Sequence, residues 1–172
     1  MSASRTLVMI PTYNEAENIA RLIGELLALS VEGLEVLVVD DKSPDGTARI
    51  VASLAERDSR VRLLVREGPP GRGAAGRDGF LFALEHGFDR LVEMDGDFSH
   101  QPRHVPALLA ALEDCDLAVG SRRVPGGSDL DRRARRKRAD GANRRRREGT
   151  AESSRDHRPE LAWTRLRLPS VY

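Results

Sequence analysis

Two short acidic stretches carry the chemistry that can be read from this chain. Val39-Asp40-Asp41 and Asp95-Gly96-Asp97 each place carboxylates within a few ångströms of one another. Like charges at that spacing repel unless a cation lies between them. Two carboxylates separated by one small residue can hold a divalent ion through oxygen, leaving coordination positions open for phosphate oxygens. Arg122, in Gly120-Ser121-Arg122, adds a planar guanidinium suited to a bidentate phosphate contact. Together these residues suggest a metal ion bound to a diphosphate.

Such residues must be carried by elements that bring them to one place. Apolar runs alternate with amphipathic stretches, the pattern of a parallel sheet with helices packed on it. Thr6 to Ile10 reads as a first strand stopped by Pro11. Ile19, Leu22, Ile23, Leu26 and Leu27 then mark one helical face, with Asn14 as its expected cap and Glu17 in its first turn. Leu34 to Asp40 reads as a strand buried on both faces, followed by Ser43-Pro44-Asp45-Gly46 turn chemistry and a helix from Thr47 to about Arg57. Val61 to Val65 is a third strand, and a Gly/Pro loop leads into a helix ending near His86. A strand at Arg90 to Met94, a helix at Arg103 to Leu112 and a strand at Leu117 to Gly120 complete a βαβαβαβαβ order. In such sheets ligands bind outside the carboxyl ends of the strands. Pro11-Thr12-Tyr13-Asn14-Glu15, Asp40-Asp41, Asp95-Gly96-Asp97 and Ser121-Arg122 all fall just after strands.

Two other motifs fail on spacing. An EF-hand loop starting at Asp95 would have His100 at its sixth position and Pro106 at its twelfth, in place of Gly and Glu, which excludes a calcium sensor. Gly71-Arg72-Gly73-Ala74-Ala75-Gly76 fits a dinucleotide fingerprint, but Glu67-Gly68-Pro69-Pro70 separates it from the strand it would have to follow directly. A flexible loop is the simpler reading. His100 and His104 receive no role.

The 172 residues suit one principal core. Seven aromatic residues leave little for stacking platforms, and no apolar run is long enough for a membrane-spanning helix. One cysteine, Cys115, can make no internal disulfide, and Met1 to Arg5 does not open a secretory leader, so a reducing cytoplasmic setting is expected. Charge divides the chain near Ser128. Before it, 14 Arg and Lys face 20 Asp and Glu, a net −6; from Ser128 onward 14 face 7, a net +7. The last 45 residues hold only Leu130, Leu161, Leu166, Leu168 and Val171 as large aliphatic residues, too few to offset the entropy of ordering them. The expected organisation is an α/β domain over 1–127 and an Arg-rich tail over 128–172 without regular structure.

The blocks Pro11-Thr12-Tyr13-Asn14-Glu15-Ala16-Glu17-Asn18-Ile19, Val39-Asp40-Asp41-Lys42-Ser43-Pro44-Asp45-Gly46-Thr47, Met94-Asp95-Gly96-Asp97-Phe98-Ser99-His100 and Gly120-Ser121-Arg122 closely resemble the inverting family 2 glycosyltransferases, above all their polyprenol (dolichol) phosphate mannosyltransferase branch. The resemblance covers about residues 6 to 127. It implies the glycosyltransferase A fold, a Rossmann-like nucleotide-sugar domain with helices on both faces of a mostly parallel sheet. It also implies transfer of mannose from GDP-mannose to a polyprenyl (dolichyl) phosphate with inversion, making a lipid-linked sugar of the kind used in protein glycosylation. Pro11, Tyr13 and Glu15 would surround the base and ribose, with Val39 and Asp41 completing that pocket. Asp95 and Asp97 would hold Mg²⁺ or Mn²⁺ on the diphosphate, Gly96 would replace the family's usual Ala, and Arg122 would face a donor or acceptor phosphate. Asp97 and Arg122 are thereby the expected catalytic residues. The implied setting is peripheral, at the cytoplasmic face of a membrane, with a possible membrane-anchoring partner.

The resemblance stops near Ser128, where members normally continue for about another hundred residues. Of 28 basic residues 26 are Arg, which hints at GC-rich coding and suggests a truncation or shifted reading frame from about residue 128. Two alternatives follow. One is an inactive fragment that still binds nucleotide sugar; the other is a basic tail that binds nucleic acid or anionic membrane by counterion release. Nucleic acid is disfavoured, because only Trp163 and Tyr172 in the tail could stack on bases.

Overall fold

A computed structural model describes residues 4–121 and the backbone of 163–166. The chain divides at Ala107 and Leu108 into two compact units. The first contains strands β1 (Thr6–Thr12), β2 (Leu34–Asp40), β3 (Val61–Val65) and β4 (Arg90–Glu93), and helices α1 (Ile19–Leu27), α2 (Thr47–Ala55) and α3 (Arg72–Glu85). The four strands form one parallel sheet in the order β3-β2-β1-β4. A short 3₁₀ turn, Pro102–His104, leads into α4 (Val105–Ala111), which runs across the division.

This order explains where the site lies. The chain steps outward from β1 through β2 to β3, then returns past β1 to β4. Right-handed crossovers therefore place α1 and α2 on one face and α3 on the other. On the α3 face, Leu7, Met9, Leu37 and Val39 form a buried cluster with Ala75 and Ala83. Val8, Ile10, Val36 and Val38 alternate with these along β1 and β2 and point to the opposite face, where Ile19, Leu22, Ile23, Leu26 and Val51 are also fully buried or nearly so. Helix α3 approaches the sheet through small residues. A Cβ added to Gly79 would lie 2.5 Å from Met9 Cγ, so only glycine permits this distance.

Two local expectations are corrected. Pro11 does not stop β1 but pairs in register with Val39. Met9 points its carbonyl toward β4, accepting from the Met94 amide, and Pro11 has the same parity. The β4 pairing ends at Met9 opposite Glu93, so the missing proline N–H removes no ladder bond. Helix α1 starts at Ile19 with Asn18 at its N-cap, so Asn14 and Glu17 precede it. The cause is local: Asn14 takes a left-handed φ of 62°, and the amides of Asn18 and Ile19 both donate to the Glu15 carbonyl.

In the second unit, β5 (Leu117–Gly120) has its expected bounds but does not extend the four-stranded sheet. It pairs antiparallel with β6 (Trp163–Leu166), in register from Leu117 opposite Leu166 to Gly120 opposite Trp163. An isolated strand edge presents unpaired backbone groups, and tryptophan and threonine favour the extended backbone that can meet them. Four residues of the tail expected to lack regular structure are thus in a strand. Arg122 and the arginine runs lie outside the described residues. Among the described residues, no helix is long and apolar enough to cross a membrane.

Candidate functional site

The strand order reverses between β1 and β4, and the segments leaving these two strands meet there. A Cβ on Gly96 would lie 3.1 Å from Glu15 Cγ, so the acidic loop after β4 packs directly against the loop after β1. An alanine at 96 would require Glu15 to give by a few tenths of an ångström.

The β1 side is anchored to the turn after β2. Successive amides of Asn14, Glu15 and Ala16 donate to Ser43 Oγ (3.0 Å), Thr47 Oγ1 (3.0 Å) and Asp45 Oδ2 (2.9 Å). Asp45 also accepts from the Thr47 amide and hydroxyl, and bonding from the Thr47 hydroxyl holds its carboxyl below the usual carboxylate range. Gly46, at φ 94°, makes the turn into α2. Asp40 is fully buried and accepts from Thr12 Oγ1 (2.9 Å), Ser43 Oγ (2.6 Å) and the Ser43 amide (2.8 Å). Ser-Pro-Asp-Gly-Thr therefore acts as the receiver for a loop thirty residues earlier.

The expected pocket residues differ in what they expose. Tyr13 is 58% exposed, and Glu15 is half-buried with Oε2 accepting from Asn18 Nδ2 at 2.9 Å. Val39 contributes its side chain to the core. Asp41 is nearly buried and doubly engaged: one oxygen pairs with the Arg66 guanidinium, and the other accepts from the Gly71 amide at 2.8 Å. Arg66 reaches Asp78 Oδ2 at 2.7 Å as well, and its pairing holds the Asp78 carboxyl below the ordinary range. Arg66 and Asp78 were not singled out from sequence. Their partners lie 25 and 12 residues apart from Arg66, at no helical or strand spacing that would reveal the triad.

The acidic loop is held more loosely. Asp95 Oδ1 lies 2.6 Å from Arg72 Nη2, its Oδ2 accepts from Ser99 Oγ at 3.4 Å, and its amide donates to His100 Nδ1 at 3.0 Å. That last bond leaves the proton of a neutral His100 on Nε2. Asp97 Oδ1 accepts from the Ser99 amide at 3.0 Å. Partial burial pushes the Asp97 carboxyl up, and hydrogen bonding from Ser99 outweighs it, so the group sits below the ordinary range. Phe98 takes a left-handed φ of 60°, with Arg21 stacked 4.7 Å above its ring. The sequence reading gives His100 no role and sees Arg72 only within a glycine-rich motif; Arg72 meets Asp95 once α3 is laid over the sheet, and His100 once the loop has folded back.

Among the described residues, no group of three or more His, Cys, Asp or Glu is arranged to hold a metal ion. The carboxylate oxygens of Asp95 and Asp97 are of the type that suits a hard divalent cation, whose remaining positions would have to come from phosphate oxygens and water.

The chain is 50% identical over 123 residues to an undecaprenyl-phosphate mannosyltransferase of Micrococcus luteus, covering 72% of this chain and 50% of that protein. It is 47% identical over 126 residues to the polyprenol monophosphomannose synthase of Mycolicibacterium smegmatis, covering 72% and 47%. It thus spans about half the length of these curated relatives. Among solved structures, mannosyl-3-phosphoglycerate synthase from Rubrobacter xylanophilus shares the fold, with a TM-score of 0.51 at 23% identity over 72% of this chain and 38% of that one. The parallel sheet with helices on both faces is the fold class expected from the sequence. Residues 7–166 match the family described as Glycosyl transferase family 2, and the chain belongs to that family.

Proposed function

We propose that this chain carries the donor-binding part of a transferase that moves mannose from GDP-mannose to a polyprenyl (dolichyl) phosphate, with inversion and with Mg²⁺ or Mn²⁺. The observation that carries this reading is the meeting of Glu15 and Gly96 at the reversal point of the sheet, because it sets a nucleotide-side loop against a diphosphate-side loop. The names of the two bacterial relatives support the choice of sugar and acceptor. On this reading residues 1–127 form the nucleotide-sugar domain and 128–172 a basic tail, of which β6 pairs with β5.

The roles are those the family resemblance implies, set beside the exposure and bonding of each described residue. Tyr13 offers an exposed ring face to the base, and Pro11 and Glu15 line the ribose side. Val39 and Asp41 serve as the fixed floor, since the first is in the core and the second is clamped by Arg66 and Gly71. Asp95 and Asp97 would hold the metal, which would supply positive charge to a departing diphosphate. Arg122, outside the described residues, is assigned a donor or acceptor phosphate by the family resemblance alone. A lipid phosphate is already anionic near neutral pH, so it attacks the anomeric carbon as the bond to GDP breaks, and no strong general base is required. The chain's task is to position the two phosphates and exclude water from between them. The reaction site is then at a membrane surface, on the cytoplasmic face, with the protein peripheral.

The test is an incubation with GDP-mannose, Mn²⁺ and a short-chain polyprenyl phosphate, followed by mass spectrometry. Mannosyl-phosphoryl-polyprenol is the expected product. Donor binding without any product would show that this chain is a nucleotide-sugar-binding fragment instead.

A further inference from the structure

We infer that Arg72 is an exchangeable counterion that guards Asp95 in the donor-free state and transfers to the donor's diphosphate when metal and nucleotide arrive, an inference that rests on the donor site proposed above. Three rim arginines can be compared. Arg66 is buried between Asp41 and Asp78 and is fully committed. Arg77 engages Asp78 beside it at 3.0 Å. Arg72 alone of the three is bonded to a proposed metal ligand, with Nη2 2.6 Å from Asp95 Oδ1.

The exposure of that pair makes it exchangeable. The Arg72 side chain is 64% exposed and that of Asp95 28%, so water and salt screen the attraction and the pair contributes little. A divalent ion at Asp95 and Asp97 removes the negative charge that holds Arg72 and replaces it with like charge. The guanidinium then leaves Asp95. A diphosphate on the metal presents anionic oxygens on the same rim, and the planar fork of arginine can engage two of them. Arg72 is the first residue of α3, so its side chain can swing while the helix behind it stays seated on Met9 through Gly79.

Competition and contact predict effects of opposite sign. In Arg72→Gln, Mn²⁺ alone, followed by electron paramagnetic resonance, binds about threefold more tightly, the scale of an exposed ion pair. GDP at saturating Mn²⁺, followed by calorimetry, binds about tenfold more weakly, the scale of a charge-assisted phosphate contact. Arg72→Lys leaves Mn²⁺ affinity at the wild-type value and gives an intermediate loss for GDP. Circular dichroism confirms that each variant is folded. Unchanged constants, or both constants weakening together in Arg72→Gln, would overturn the inference and make Arg72 a static clip. Wild-type protein that shows no Mn²⁺-dependent GDP binding would overturn the donor site itself, and this inference with it.

Discussion

The two loops that meet at the reversal point of the sheet are built to different standards. On the β1 side, three consecutive amides are received by Ser43, Thr47 and Asp45, and Asp40 is buried with three donors of its own. On the β4 side, the acidic loop bonds mostly to itself, through Ser99 and His100 on Asp95, the Ser99 amide on Asp97 and Gln101 on the Phe98 carbonyl. Its contacts to other elements include the exposed Arg72–Asp95 pair and Arg21 over the Phe98 ring. The difference teaches where preorganisation is placed. Under the proposed function, a loop that recognises a rigid base would gain from being fixed in advance, whereas one that takes up a metal and a diphosphate together would have to exchange its partners.

The largest test of that contrast disturbs both sides at once. Gly79→Val drives a branched side chain into Met9 and lifts α3, with an expected loss of about 3 kcal/mol in urea unfolding. Next comes Thr47→Val, an isosteric change at a fully buried position that leaves the Glu15 amide without its acceptor. It is expected to cost about 2 kcal/mol. Asp45→Ala removes the acceptor for Ala16 and Thr47, for a loss of about 1 kcal/mol at pH 7. Because the Asp45 carboxyl is depressed in the fold, its contribution is present above the unfolded value near 3.8 and is lost as pH falls through the lower folded value. Wild type should therefore converge on Asp45→Ala as the solution is made more acid than that, and a constant difference down to pH 2 would contradict the bonding described. The smallest effect is expected from Gly96→Ala, under about 1 kcal/mol, since the new methyl meets only the flexible Glu15 side chain. A large loss there would mean that the acidic loop is as rigid as its neighbour.

What could be read from sequence follows the same division. Strands β2, β3 and β5 have the bounds expected, because short Val- and Leu-rich segments, interrupted only by Glu35, Arg62 and Ala118, lie between turn residues and polar stretches. Pro11 misled because a proline's tolerance depends on where the neighbouring strand ends, and β4 ends two residues earlier. The start of α1 misled because Asn14 resembles a helix cap while its amide is used by Ser43. The partner of β5 lies more than forty residues away, beyond any local pattern. At the candidate site, the carboxylates can be picked out by type and spacing. Their controllers, Arg66 and Arg72, cannot, since each acts across the sheet on a residue distant in sequence.

The central claim is that Asp95-Gly96-Asp97 and the β1 loop together bind a nucleotide sugar through a divalent metal. Calorimetric titration of GDP-mannose into the 172-residue chain, with and without Mn²⁺ and beside Asp97→Ala, tests it directly. Binding is expected to require Mn²⁺ and to weaken about a hundredfold in the variant, on the scale of the several kcal/mol a metal supplies to a phosphoryl oxygen. Equal binding by folded wild type and Asp97→Ala, or binding indifferent to Mn²⁺, would contradict it.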